Sequence, residues 1–364
     1  MKKRFLSAIL LILLVFTNML CLSSCSDEKY EPVESTAEEK RTVMKISYDK
    51  EKYEIPYELY RAFFLQLKPI VDNGNQDVWG GLDKNTYIEK IDALISSRIA
   101  DIYSVFHLCE KEGINVYSKE FDDKIYQHIK VAVEGGAIDG TVYAGFGGDY
   151  DKYLLSLKEM NMNYSVQALL IRYQLAFEKL AIHYMGNIEN GADLGKMTFT
   201  KEDISAFYND DQKSRRIICL YLDSTYFSKA SAENKRENIA ACKDEKAVTS
   251  YIGSINGSPI IEVIGKNTYD KFYYSELTEA AFSLNEGEAS RVISLRTEDF
   301  DGYVIAYRLE KLPEFLDSSY DSVVSSYLYD RFGEIIQSTA DNINNAISYT
   351  DTLKNLDRTA IRME

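Results

Sequence analysis

Apolar residues recur every three to four positions through most of the first half of the chain, which predicts a helical region. In the longest such stretch, from Thr86 to Glu112, large aliphatic and aromatic residues keep this spacing until Gly113 ends it. The spacing places them on one face of a helix, and that face must be buried against another element. Shorter stretches with the same spacing predict helices at 57–71, 118–133, 150–160, 164–184 and 201–209.

Alternation of apolar and polar residues before these helices predicts a short β-hairpin. Val43–Tyr48 alternates, Asp49–Lys52 forms the turn, and Tyr53–Ile55 resumes the alternation. A glycine-rich stretch farther along, Gly135–Gly148, predicts a loop. It does not have the features of a nucleotide-binding loop, because no strand precedes it and no Lys-Ser/Thr pair follows it.

The periodicity changes at residue 213. Arg216–Leu222 is an apolar run typical of a buried strand, and Ala289–Leu295 and Gly302–Leu309 predict two further strands. Helical stretches lie between the first strand and the last two. This order predicts an α+β module that covers residues 213–312.

The first 24 residues have the pattern of an export signal. Three basic residues precede an almost wholly apolar stretch, 5–22. That stretch ends in Leu22-Ser23-Ser24-Cys25, which resembles the bacterial lipobox and implies cleavage before Cys25 and attachment of diacylglycerol to its thiol. An ordinary secretory signal and an uncleaved anchor are the alternatives. The following residues are polar and charged without periodicity, which predicts a flexible tether up to residue 42.

A single apolar stripe runs along the residues after Pro313, from Leu316 to Ile347. A helix with such a face must bury it, and the preceding module has little surface to spare. We therefore expect this helix to pack back on the N-terminal helices, with the module inserted in one discontinuous helical domain. The predicted fold class is α+β, divided into signal peptide 1–24, tether 25–42, helical domain 43–212, module 213–312 and C-terminal helix 313–364.

Composition excludes several classes of function. The chain has 364 residues and a formal net charge of −15, which becomes −18 once residues 1–24, with three basic and no acidic residues, are removed. Nucleic-acid binding selects basic surfaces, so we do not expect it. Only three histidines are present, and neither a metal site nor a cofactor is expected. Outside Cys25 the mature chain keeps an odd number of cysteines in apolar settings, predicted to be buried free thiols: Cys109, Cys219 and Cys242.

Four segments carry a resemblance to a known family. The most specific is Glu279–Ser290 (EAAFSLNEGEAS), in which a helix ending in Ala-Phe-x-Leu turns at Gly-Glu-x-Ser into a strand. The segment Gly302–Ile305 (GYVI) stands where that family has Gly-Tyr-His-Ile. The other two are the hairpin and helix at 44–64 and the acidic helix at 199–210. Together these segments resemble the exported parvulin-type foldases, the family of PrsA and SurA, which implies a helical chaperone domain with an inserted parvulin-like β-α-β module.

The sequence departs from this family at the residues that carry its chemistry. A parvulin site usually has one histidine on the first strand and one on the last, and these positions fall here at about Ile218 and at Val304. No histidine lies in 213–312. The resemblance therefore implies a module without catalytic residues. All the histidines of the chain belong to the predicted helices outside the module: His107, His128 and His183.

The resemblance also points to a candidate peptide-binding pocket. Tyr273, Leu277 and Phe282 fall near the family's proline-pocket positions; ordinary core packing is the alternative for each of them and is favoured for Phe282. With the two former histidine positions they make up the candidate pocket: Ile218, Tyr273, Leu277, Phe282 and Val304.

These features favour a lipid-anchored chaperone on the extracytoplasmic face of a bacterial membrane, which binds unfolded or newly exported polypeptides. The high tyrosine content, 28 residues, fits a surface that contacts varied apolar segments, and it fits a core equally well. An active prolyl isomerase with a site built without histidine is the main alternative. A solute-binding lipoprotein would need two α/β lobes, which the long helices disfavour. A structural lipoprotein with one dedicated partner is also compatible with the sequence.

Overall fold

The structure, a computed structural model, describes residues 29–362 except for 139–140, 188–192, 257–258, 269–274 and 297–299. The predicted lipid-attachment residue Cys25 and the predicted pocket residue Tyr273 lie outside the described residues. The chain folds as a mixture of helices and small sheets. It divides into two compact units: unit 1 contains the residues up to Ile182 together with Ile336–Glu364, and unit 2 contains His183–Ile335.

The helices and strands of the described residues are numbered here in chain order. The helices are α1 (Ala37–Lys40), α2 (Tyr57–Val71), α3 (Lys84–Lys111), α4 (Lys119–Glu134), α5 (Tyr150–Glu159), α6 (Tyr164–Met185), α7 (Lys201–Asn209), α8 (Lys229–Ala240), α9 (Glu245–Asn256), α10 (Ser275–Ser283), α11 (Pro313–Ser318), α12 (Tyr320–Asn345) and α13 (Asp351–Lys354). The strands are β1 (Thr42–Tyr48), β2 (Glu51–Pro56), β3 (Gly136–Ile138), β4 (Thr141–Tyr143), β5 (Gly186–Asn187), β6 (Asp193–Leu194), β7 (Ser214–Asp223), β8 (Ile261–Gly265), β9 (Ile293–Arg296), β10 (Asp301–Leu309) and β11 (Ile347–Tyr349).

In unit 1, the predicted N-terminal hairpin is confirmed as β1 and β2. The turn between them consists of Asp49 and Lys50, both with positive φ, which suits a tight two-residue turn. The C-terminal strand β11 pairs antiparallel with β1 on its other side, for example at Ile46 and Ile347. The first and last parts of the described chain therefore meet in one three-stranded sheet.

The helices of unit 1 bury the apolar stripes that the sequence predicts. The predicted helix at 86–112 is α3, whose Ile91, Ile95 and Ile99 are fully buried, and α2 lies against it. A polar network joins the same elements, because the hydroxyl of Tyr60 on α2 donates to Asp92 on α3 at 2.5 Å. Within the described residues, no helix is long and apolar enough to cross a membrane.

The segment predicted to be a flexible tether is in contact with unit 1 from Lys29 onward. The Tyr30 side chain is 1% exposed, and its hydroxyl donates to a carboxylate oxygen of Glu134 at 2.9 Å. Farther along, Thr36 caps α1. For residues 29–42 the structure thus differs from the prediction, because a single aromatic side chain in a polar segment finds a buried site.

Unit 2 is built on a four-stranded antiparallel sheet with the order β8-β7-β10-β9. Helices α8 and α9 cover one face and α10 covers part of the other. A further cluster joins α7 to the start of α12, with Phe207 and Val323 buried in it.

Unit 2 contains the whole of the predicted module 213–312, together with α7, α11 and the first part of α12. Of the predicted C-terminal segment 313–364, residues 313–335 therefore belong to unit 2 and residues 336–364 to unit 1. The strand predicted at Ala289–Leu295 is shorter and later, at Ile293–Arg296, with Ala289 in an isolated bridge.

Candidate functional site

The two faces of the unit 2 sheet divide the residues of β7 by parity, since successive side chains of a strand point to opposite faces. Ile217 and Cys219 face α10, together with Val304 and Ala306 of β10. Ile218 faces the other way, into the cluster with α8 and α9.

The structure brings some of the predicted pocket residues together and separates others. Leu277 on α10 and Val304 on β10 belong to the same buried cluster. Ile218 lies on the opposite face of the sheet from Val304, because a shift of one residue along a strand reverses the side-chain direction. The β7 residue paired with Val304 across the ladder is Tyr221.

Phe282 lies at the end of α10 and is half-buried. The guanidinium carbon of Arg215 stands 4.6 Å from the centre of its ring, a cation–π contact. Phe282 therefore helps to hold the end of α10 against the start of β7.

The α10 face is a packed core at the predicted pocket residues. The side chains of Val304 and Ala281 are fully buried, and Leu277 is 4% exposed. Among the described residues, these groups fill the space between α10 and the sheet. A peptide that reached them would have to displace part of this packing.

Three polar side chains accompany this apolar face. Cys219 and Tyr221 follow each other on the same side of β7, and Glu262 of β8 pairs with Ile217 across the ladder. The Tyr221 ring makes an edge contact with Phe300, with the ring centres 5.8 Å apart. A thiol, a phenol and a carboxyl are therefore grouped on the face that Leu277 and Val304 share.

Burial changes the protonation of this polar group. It raises the pKa of Glu262 to about 7, so that the carboxyl exchanges its proton near neutral pH. Burial also raises the pKa of the Cys219 thiol, and the nearby Glu262 raises it further. Cys219 therefore stays a neutral thiol and is a poor nucleophile. A neutral acid, a thiol and a phenol can exchange hydrogen bonds with a peptide amide without any covalent step.

The sequence predicts Cys219 as a buried free thiol and does not single out Tyr221 or Glu262. Glu262 is a charged residue inside the short apolar strand Ile261–Gly265, which is a signal for a functional or paired carboxyl. Tyr221 follows from Cys219 by alternation along β7. In the part of the chain that the structure describes, no group of three or more His, Cys, Asp or Glu residues could hold a metal ion.

The motif Glu279–Ser290 forms the end of α10, a turn, and a short extended segment that is hydrogen-bonded to β10. Gly287 has φ +79°, a conformation that favours glycine, and its amide donates to the carbonyl of Arg308 at 3.0 Å. Ser290 then makes two bonds with Ala306: its amide donates to the Ala306 carbonyl at 2.7 Å, and its hydroxyl accepts from the Ala306 amide at 3.0 Å. The motif thus fixes α10 over the polar group.

An ion cluster reinforces the same corner of unit 2. Asp211 accepts from Arg308 at 2.5 Å and lies 3.1 Å from the Lys311 ammonium. Burial alone would raise the pKa of Asp211, but the ion pair with Lys311 and the hydrogen bond from Arg308 outweigh it and hold that pKa below its usual range. Arg308 also donates to the carbonyl of Leu284, so the cluster reaches the turn of the motif.

Comparisons with known proteins find similarity among solved structures only. No protein-family model matches the chain, and no curated protein matches it. The chain is similar to the foldase protein PrsA from Streptococcus pneumoniae, at 16% identity with a TM-score of 0.23, covering 74% of this chain and 92% of that chain.

Two further PrsA structures show the same level of similarity. PrsA from Bacillus subtilis has 16% identity and a TM-score of 0.23, covering 78% of this chain and 92% of that chain. The foldase protein PrsA from Lactococcus lactis has 13% identity and a TM-score of 0.25, covering 86% and 96%. With TM-scores this low, the functional argument depends on the residues of this chain.

Proposed function

We propose that this protein is a lipid-anchored extracytoplasmic chaperone that binds unfolded or newly secreted polypeptides and carries a catalytically inactive parvulin-like module. One observation carries the proposal. The motif Glu279–Ser290 forms a helix, a turn and an edge on β10, while the last-strand position of the family's histidine is the buried Val304. On β7, the face shared with Val304 carries Ile217 and Cys219 in place of a histidine.

The proposed anchor rests on the N-terminal sequence. The apolar stretch followed by Leu22-Ser23-Ser24-Cys25 supports lipid attachment at Cys25. We expect the full chain to partition into detergent phase and to sediment with membranes after expression in bacteria. A chain that begins at Ser26, without the apolar stretch and without Cys25, is expected to be found in the soluble fraction, and mass spectrometry of the N-terminal peptide of the full chain tests for the lipid directly.

Client binding is proposed for apolar side chains that the structure leaves exposed. In unit 1, Leu155 and Met160 near the end of α5 are 57% and 48% exposed, and in unit 2 Tyr226 is 80% exposed. Such side chains can cover apolar segments of an unfolded chain and need no covalent chemistry.

An aggregation assay tests the chaperone function. The soluble protein that begins at Ser26 is mixed at equimolar ratio with a chemically unfolded client that aggregates on dilution, and light scattering is followed. We expect the scattering to fall, and to recover partly with Leu155→Ser plus Met160→Ser. The matched control is Lys158→Ser, a polar change on the same helix, which should leave suppression unchanged. Unaltered scattering at equimolar protein contradicts the proposal.

The second candidate is a prolyl isomerase whose site lacks histidine, and the polar group Cys219, Tyr221 and Glu262 beside Leu277 favours it. Such an enzyme must lower a barrier of about 18–20 kcal/mol by weakening the resonance of the prolyl amide. A proline-peptide isomerisation assay separates the two candidates. An inactive module gives the uncatalysed rate, whereas a rate above it that is lost in Leu277→Ala and in Glu262→Gln supports the enzyme.

A further inference from the structure

The N-terminal segment of the described chain is fixed on unit 1 at the end of α4. Tyr30 is buried, and its ring lies 5.4 Å from the ring of Tyr150. The Tyr150 hydroxyl donates to the carbonyl of Glu31 at 2.7 Å, and the amide of Lys29 donates to the hydroxyl of Tyr126 at 3.2 Å. The path of the chain is therefore set from residue 29 onward.

This contact limits how far the body of unit 1 can stand from a lipid on Cys25. Five residue steps separate Cys25 from Tyr30, and a fully extended chain of that length spans about 17 Å. The headgroup layer itself is about 5–7 Å thick. The surface of unit 1 around Tyr30 must then lie close to the bilayer, whatever conformation residues 26–28 adopt.

A short hairpin, β3 and β4, lies beside this attachment point. It starts two residues after Glu134, the partner of Tyr30, and its connection to α5 returns past Lys29 and Tyr30. A Cβ placed on Gly148 would lie 3.7 Å from the Lys29 ammonium and from the Tyr30 hydroxyl. With three residues in each strand, the hairpin is about 10 Å long, within the reach set by the tether.

The base of the hairpin is held rigidly. The position of a Cβ on Gly145 would lie 2.2 Å from the amide nitrogen of Gly135, so only glycine permits this approach of the two backbones. The amides of Phe146 and Gly148 both donate to the carbonyl of Val133 on α4, at 2.7 and 3.0 Å. The hairpin therefore projects from a fixed base.

The hairpin exposes apolar side chains. Val142 is 79% exposed and Tyr143 is 36% exposed. Val142 pairs across the strands with Ala137, which is also exposed. An isolated two-stranded hairpin is marginally stable in water, and tyrosine is a residue that favours the membrane–water interface.

We propose that the β3–β4 hairpin contacts the surface of the lipid bilayer and orients unit 1 on it, with Val142 and Tyr143 at the headgroup level. This inference rests on the proposed lipid at Cys25. The lipid supplies the anchoring, and the hairpin fixes which side of unit 1 faces the membrane.

Tryptophan fluorescence in vesicles tests the proposal. Lipidated full-length Val142→Trp protein is reconstituted into phosphatidylcholine vesicles that contain brominated phosphatidylcholine, and its quenching is corrected for the native Trp79 with the unsubstituted protein. The matched control is Tyr117→Trp, an exposed aromatic position just before α4, at the opposite end of that 16-residue helix from the hairpin. We expect at least twofold stronger quenching for Val142→Trp than for Tyr117→Trp. Ala137→Trp, on the facing strand, should behave like Val142→Trp.

The outcomes separate this inference from the proposed function. Equal quenching of the two tryptophans in vesicle-bound protein overturns the hairpin contact and leaves the lipid anchor intact. Quenching of Val142→Trp that persists in protein that begins at Ser26, without lipid and without the apolar stretch, overturns the role of the short connection. If Cys25 carries no lipid, both the proposed lipid anchor and the proposed hairpin contact are wrong. The chaperone function is still tested independently by the aggregation assay on soluble protein.

Discussion

One face of the unit 2 sheet packs against α8 and α9 and the other against α10, and each face holds a glutamate in a different electrostatic setting. On the α8–α9 side, Glu245 receives two hydrogen bonds from the guanidinium of Arg216, at 2.6 and 2.7 Å. On the α10 side, the pKa of Glu262 is raised to about 7 by burial, with no ion pair among the described residues. A compensated charge supports the fold, whereas an uncompensated one lowers stability and marks a place where chemistry could occur.

The largest effect is expected when the compensated pair is broken. The side chain of Arg216 is only 2% exposed, so Glu245→Gln leaves a buried guanidinium without its counter-ion. Removing one partner of a buried pair typically costs about 3–5 kcal/mol, and since Glu245 is one-third exposed we expect about 3 kcal/mol of lost stability in unit 2. Hydrogen exchange of peptides from β7 and β10 measures this, because the single tryptophan lies in unit 1.

The control for this change is Glu237→Gln on α8, at an exposed position, which should alter the unfolding free energy by less than about 0.5 kcal/mol. Arg216 also donates to the carbonyl of Glu310 at 2.7 Å. If that bond alone satisfies the guanidinium, Glu245→Gln will match its control, and the contrast between the two faces is then not one of charge compensation.

The same substitution on the other face should have the opposite sign. Glu262 has a higher pKa in the folded state than the ordinary value of 4.5, so the folded protein holds this proton more tightly than the unfolded chain. The resulting stability is fully present below pH 4.5 and is lost as the pH rises to about 7. Glu262→Gln removes this loss. At 1.36 kcal/mol per pKa unit, the rise from 4.5 to about 7 corresponds to about 3.4 kcal/mol. Because the Glu262 side chain is partly exposed, solvent screening lowers this figure. The variant should therefore be about 2–3 kcal/mol more stable than the parent at pH 8 and nearly equal to it at pH 4.

Hydrogen exchange or urea unfolding between pH 4 and pH 8 gives this curve. The difference between Glu262→Gln and the parent should rise through the interval from 4.5 to 7 and stay constant above it. Glu279→Gln, an exposed position on α10, is the matched control. A difference that does not change with pH would show that Glu262 is compensated after all and that the two faces are electrostatically alike.

The sequence could predict the elements of this sheet but not which residues share a face. Helical periodicity located α3, and alternation located the β1–β2 hairpin, because each element is buried on one side only. The strand Ile217–Leu220 is apolar on both faces, so its pattern does not show which residues point to which face. The predicted pocket puts Ile218 and Val304 together, whereas the structure has them on opposite faces of the sheet. Register of that kind is set by neighbouring strands.

Other features could not be predicted from the sequence pattern, because they depend on single residues in polar or glycine-rich surroundings. The docking of Tyr30 depends on one hydroxyl and one ring that find partners more than a hundred positions away. The β3–β4 hairpin has three residues per strand and lies in a glycine-rich stretch whose composition predicts a loop. Neither the docking of Tyr30 nor this hairpin produces a periodic pattern of apolar residues. The motif 279–290, in contrast, is identified by the identity of its residues.

The smallest expected effect tests whether that motif holds the α10 face independently of the charge on it. Ser290 is 3% exposed, and its hydroxyl accepts from the amide of Ala306. Ser290→Ala leaves a buried donor unsatisfied, so we expect about 1–2 kcal/mol of lost stability. The control is Ser283→Ala in the same motif. Its exposed hydroxyl bonds to the preceding turn of its helix, so this substitution should change the stability little.

Because the Ser290 bond involves no titrating group, the stability lost in Ser290→Ala should be the same at pH 5 and pH 8, as measured by hydrogen exchange of β10. A loss that grows with pH would mean that the motif and Glu262 act as one unit, and the face would then have to be treated as a coupled site.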